Sequence, residues 1–157
     1  MTKSEATTPR SGISLLLRLP STGMPIERVA DAHQKVIATS GSVWLGILGR
    51  RYSEQNVGRI RRDGESFYLV QRTNGETVVF KGNMSDVSYS LAEEQRSLVP
   101  EYYRESGISE RAKLWVHLSS LKRIATRELE KLSVVSSGKD ASVLLTGMAC
   151  LGIVERK

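Results

Sequence analysis

At 157 residues the chain is long enough to bury the core of one domain without staples. Apolar and charged shares of 39% and 25% are ordinary for a globular protein, and the one cysteine, Cys150, excludes an intrachain disulfide or a multi-thiolate metal site. No apolar run reaches the roughly 18 residues of a membrane helix, and a formal charge of +6 favours anionic partners, nucleic acid before a membrane surface.

Residues 1–12 are polar and small, with no apolar stretch behind a basic start, and read as a flexible tail rather than a secretory signal. A cytoplasmic location is therefore expected. Residues 13–19 form a short apolar run stopped by Pro20, which suits a buried strand. From Pro25 to Thr39 the apolar residues Ile26, Val29, Ala30, Val36 and Ile37 recur at helical spacing, with Pro25 at the start and Gly41 as the stop. A strand over 42–49 follows, then a helix over 54–62 with Ser53 as its N-cap and Gly58 weakening it.

Residues 66–72 and 76–82 flank Asn74-Gly75, the strongest short signal for a hairpin. Adjacent Phe67 and Tyr68 point to opposite faces of that strand, so one of them is expected in the core and the other outside it. The sheet continues over 84–89, and the charged stretch 92–106 reads as a loop or short helical excursion. Residues 113–124 read as one strand, 126–131 as a helical turn, 132–136 as a strand, 140–147 as a short helix and 150–154 as a last strand. Hairpins and short strands outnumber βαβ signals, which predicts a mainly antiparallel α+β sheet or open barrel.

Catalytic signals are scarce. His33 and His117 are the only histidines and sit within a helix face and a strand, where structural roles are expected; two alone define no zinc site. There is no G-x-S-x-G elbow and no zinc-deaminase signature. Ser136-Ser-Gly-Lys-Asp140 has a phosphate-loop flavour, but the Walker pattern requires glycine where Ser133 stands and Ser or Thr where Asp140 stands. One phosphate contact is conceivable there, while Asp140 reads better as a helix N-cap. Cys150, set among apolar residues, reads as a buried structural thiol. No cofactor, metal or catalytic residue is expected.

Positive charge concentrates over 50–62, which holds five of the 23 basic residues, all of them arginine. A solvated helix face is the commoner fate of a charge run. Arginine, however, pairs with phosphate or guanine in a bidentate fork, so a run without lysine weighs toward nucleic acid against that reading. On a helix Arg59 and Arg62 share a face while Arg61 turns away. Arg50, Arg51, Arg59 and Arg62 are the candidates for docking a DNA or RNA backbone. Trp44 and Trp115 lie in apolar strands, where a core position is the plainer reading, and Tyr102-Tyr103 follow Pro100 in a predicted loop.

The runs 41–49, 99–103 and 114–121, with the hairpin at Asn74-Gly75, resemble the PUA-like superfamily, above all its EVE and ASCH branches, over about residues 41–125. The resemblance implies a single domain over 13–157: a strand-helix extension (13–39) before a compact, partly open β-barrel (41–157) with peripheral helices. It also implies RNA or DNA binding, with an aromatic pocket for a modified or flipped base. By position Trp44, Tyr102, Tyr103 and Trp115 are the pocket candidates. The alternative is a non-catalytic protein-interaction or regulatory module of a defence or mobile-element system, working with a larger effector protein. Neither reading fixes the oligomeric state.

Overall fold

Side chains alternate across a β-strand, and here both faces of the sheet are covered. The computed structural model describes residues 12–49, 52–147 and 149–157; the tail expected over 1–12 lies outside these except for Gly12. Strand β1 (Ile13–Leu19) sits between β3 (Gly64–Thr73), to which it is parallel, and β8 (Leu151–Arg156), to which it is antiparallel. β3 turns into β4 (Glu76–Ser88) at Asn74-Gly75, whose φ values of 54° and 80° give the left-handed pair this hairpin demands. β4 pairs with β5 (Leu114–Leu118), β5 with β2 (Val43–Ile47), and β7 (Leu132–Val134) with β8.

The path runs β2-β5-β4-β3-β1-β8-β7, with β6 (Lys122–Ile124) beside β4. The fold is therefore α+β, an eight-stranded and mainly antiparallel sheet with a few helices. Its end strands β2 and β7 do not pair with each other, so the pairing does not close the sheet into a barrel. Among the described residues no helix is long and apolar enough to cross a membrane.

One face of the sheet gathers Leu15, Leu17, Val43, Leu45, Phe67, Leu69, Phe80 and Val116. Helix α1 (Ile26–Ser40) adds Ile26 and Val29 to this core, and α2 (Glu54–Asp63) adds Val57 and Ile60. On the other face Leu16, Tyr68, Val70 and Val79 lie under Leu129, Leu132 and Leu144. Phe67 and Tyr68 are thus both buried, at 0% and 7% exposure, against the expectation that only one would be. The reason is the carboxyl-terminal segment, which folds back over the second face; each ring buried this way contributes about 2 kcal/mol.

Local signals act as expected at the helix ends. Gly41, at φ 90°, ends α1 and donates its N–H to Ile37 O at 2.7 Å, while Ser53 Oγ accepts the Asn56 N–H at 3.2 Å to start α2. Over 92–112 the excursion holds a 3₁₀ turn and two short helices, α3 (Tyr102–Ser106) and α4 (Ile108–Arg111). It shields the free edge of β2: the Trp44 N–H donates to Leu98 O at 2.7 Å and the Gly46 N–H to Tyr103 Oη at 3.0 Å. Edge amides satisfied in this way offer no template for another strand.

Three expectations need correction. The strand over 113–124 is broken into β5 and β6, because both pair with β4 and the chain bends over Gly82, which admits the Ser120 carbonyl against β4. The break is pinned by the Ser119 N–H to Asn83 O and the Asn83 N–H to Ser120 Oγ, both at 3.1 Å. Cys150 is exposed rather than buried, since it precedes β8 and contributes only its carbonyl, which accepts the Arg18 N–H at 2.7 Å. Asp140 does not cap the last short helix, α5 (Val143–Thr146); it accepts the Ser142 N–H at 2.9 Å and pairs with Lys157 Nζ at 2.6 Å. In the same loop the Gly138 and Lys139 amides are taken by Val134 O and Ser137 Oγ, so neither is free for a phosphate.

A Cβ at Gly82 would collide with the Ser120 carbonyl, so Gly82→Ala should lower the unfolding free energy by about 1–3 kcal/mol. Gly23→Ala, whose new methyl meets nothing closer than 3.5 Å, should change it by less than about 0.5 kcal/mol. Urea unfolding of the two variants decides; equal midpoints would contradict this account of the break.

Candidate functional site

An apolar cleft of about 680 Å³ opens between the ends of β1 and β2, the start of α1 and the helices α3 and α4. Leu17, Leu45, Ile47, Met24 and Ile108 wall it, and Leu48, one of the large apolar residues left exposed, stands at its mouth. Its charged lining consists of Arg18 and Arg111 alone, with no carboxylate among the described residues. Each guanidinium is anchored at one nitrogen, Arg18 Nη1 to Leu144 O and Arg111 Nη2 to Ser106 O, both at 3.0 Å. Each keeps further N–H donors for a ligand.

The loop before α1 is fixed by Gln71, a buried amide that follows the apolar run 67–70 of β3. Gln71 Oε1 accepts the Ile26 N–H at 2.8 Å, and Nε2 donates to Pro20 O at 2.9 Å and Met24 O at 3.1 Å. The floor is fixed by His33. Its Nδ1 faces Val29 O at 2.7 Å and so carries the proton, which leaves Nε2 to accept from Tyr103 Oη at 2.9 Å. Tyr103 Oη in turn accepts the Gly46 N–H. One hydroxyl therefore ties α1, α3 and the edge strand β2 together.

A second groove, of about 1020 Å³, runs along α1 and shares Met24 and Tyr102 with the cleft. It differs in charge, with Glu27, Asp31, Glu101 and Glu105 facing Arg28, Lys35 and Arg104. Tyr102 divides the two. It is half-buried, its ring lies 5.0 Å from that of Tyr103 and nearly perpendicular to it, and burial pushes its hydroxyl up to about 12, so it remains a neutral donor.

The predicted residues separate into groups. Tyr102 and Tyr103 both line the cleft, Tyr103 with its hydroxyl already engaged. Trp44 and Trp115 do not: at 2% and 4% exposure they pack with Tyr103 in a third cluster, because alternation along β2 and β5 turns them away from the cleft. Trp44 instead stacks on the His117 ring at 4.5 Å. His117 is structural, held between Ser42 Oγ and Ser85 Oγ at 2.8 Å each, and burial lowers its pKa against an opposing pull from Asp86.

Arg59 and Arg62 stand on α2, half-buried and exposed respectively, and neither lines the cleft or the groove. Arg61 is held against β4, 3.5 Å from Asp86 Oδ1 and with Nε donating to Val87 O at 3.0 Å. Arg50 and Arg51 lie outside the described residues; Gly49, just before them in sequence, lines the cleft. Sequence reasoning missed Arg18, Arg111, Gln71 and Cys150. A lone arginine and a lone glutamine inside apolar strand runs were the available signals.

A family model described as Pua-like matches residues 15–141, a span that includes the whole lining of the cleft except Cys150. No curated protein and no solved structure matches the chain.

Burial beneath the cleft pulls the His33 pKa from 6.5 down to about 4. The unfolded chain therefore binds this proton first as pH falls. The stabilising contribution of neutral His33 is complete above pH 6.5 and declines down to pH 4, by at most about 1.4 kcal/mol per pH unit. Urea midpoints should fall across that window in the native chain and fall less in His33→Gln; parallel curves for the two would contradict the assignment.

Proposed function

Since the chain belongs to the Pua-like family, we propose that it is a nucleic-acid-binding module that takes one unstacked base into the apolar cleft and holds the flanking backbone with arginine. The observation that carries this reading is the cleft itself, apolar within, with a neutral tyrosine on its wall and arginines as its only charges. Its volume lies in the range of small-molecule sites, roughly 300–1,000 Å³, and so is ample for a base. Base stacking on an aromatic ring contributes about 1–3 kcal/mol and tolerates any base.

Arg18 and Arg111 are the natural phosphate holders, because each keeps free donors in the planar fork that matches phosphate oxygens. Arg59 and Arg62 on α2 add positive charge outside the cleft. The resemblance to EVE and ASCH domains favours an RNA or DNA carrying a modified or flipped base. Selection there rests on shape and apolar contact, since His33 and Tyr103 already use their polar atoms on each other and on backbone. The mixed-charge groove beside Tyr102 favours a second reading, a protein-interaction or regulatory module.

Fluorescence anisotropy with labelled single-stranded RNA and DNA tests the proposal. Affinity should fall with rising salt, and Tyr102→Ala should weaken binding by about 1–3 kcal/mol, roughly 5-fold to 150-fold in Kd. Arg111→Gln should reduce the salt slope by about 1, as should loss of Arg59 or Arg62. No binding at low salt, together with capture of a protein partner, would establish the second reading instead.

A further inference from the structure

On the far side of β4 two lysines face each other across a ladder. Lys81 of β4 is the register partner of Lys122 of β6 in an antiparallel pairing. Register partners project from the same face with Cβ atoms about 4.5–5.5 Å apart, and like charges placed so work against the pairing. Lys122 is exposed and Lys81 half-exposed.

Among the described residues no carboxylate forms an ion pair with either lysine; the pairs there are Lys35–Asp31, Arg61–Asp86, Lys131–Glu128 and Lys157–Asp140. The 3₁₀ turn that follows β6 (Thr126–Lys131) carries Glu128, and that carboxylate is engaged by Lys131 at 3.2 Å. What steadies Lys81 is a ring: its Nζ lies 5.6 Å from the centroid of Tyr68, whose own position is fixed in the core of the second face. A cation over an aromatic face keeps its full charge while losing some freedom to move.

We infer that Lys81 and Lys122 form a second docking point for nucleic-acid phosphate, apart from the cleft. The inference rests on the nucleic-acid reading and adds to it where the backbone is held. Two ammonium groups on one face attract a phosphate jointly, and the anion relieves the repulsion between them. Neither lysine lines the cleft or the groove, so the ligand engages the protein at two separated places and must be a chain rather than a free nucleotide.

The test pairs binding with stability. Lys81→Gln/Lys122→Gln should lower the salt slope for a fluorescein-labelled mixed-sequence single-stranded RNA by about 0.7, the value for one phosphate contact on a single strand. Lys81→Arg/Lys122→Arg should preserve the slope. The thermal midpoint of the glutamine variant should hold or rise, because the repulsion is gone. A substantial fall in midpoint would assign the lysines to folding and overturn the inference. So would an unchanged slope in a variant that still binds RNA, which would leave the cleft reading intact. Absence of RNA binding by the native chain would remove both readings, and polyglutamate binding that depends on the two lysines would then assign the surface to an acidic polypeptide.

Discussion

Tyr103 Oη accepts the edge amide of Gly46 and donates to His33 Nε2, and on this chain of hydrogen bonds depend both the end of the sheet and the start of the cleft. A free β2 edge would invite another strand. Instead it meets a hydroxyl and the Leu98 carbonyl, so the sheet stops there. The same hydroxyl holds α1 through His33 and leaves the space between α1, α3 and the strand ends open. Every partner in the chain is buried except the edge itself, so its bonds are not in competition with water.

Around that fixed point the electrostatics divide sharply. The cleft has arginines without carboxylates, while the groove on the other side of Tyr102 carries four acidic residues against three basic ones. A phosphate backbone is attracted on one side and opposed on the other. Tyr102 therefore stands at a boundary of charge as well as of shape.

Most elements were legible because each rests on local chemistry: Asn74-Gly75 for the hairpin, Gly41 and Ser53 for helix ends, Pro20 for a strand stop. The second-face core was not, because nothing near Tyr68 announces that Leu129, Leu132 and Leu144 will cover it. The break between β5 and β6 was hidden for a similar reason, since it depends on Gly82 in a distant strand. Tyr102 and Tyr103, singled out by their position after Pro100, line the cleft. Trp44 and Trp115 were misplaced as pocket walls because the face a strand residue takes depends on which side the helices pack. Arg18 and Arg111 gain meaning only when the chain brings them to one opening.

β1 illustrates a further consequence. It is the first strand, yet its two neighbours are β3 and β8, so one of its ladders is available early and the other only when the final strand arrives. Until then Leu16 and Tyr68 have no cover, and half of the central strand's hydrogen-bonding groups face solvent. Pairing between segments so distant in sequence is slow, and an uncovered apolar face is prone to wrong association meanwhile. During synthesis on a ribosome, the first face can consolidate around α1 and α2 while the nascent chain still lacks its second core. The cleft thus takes final form only when Arg18 gains both the Leu144 and the Cys150 carbonyls.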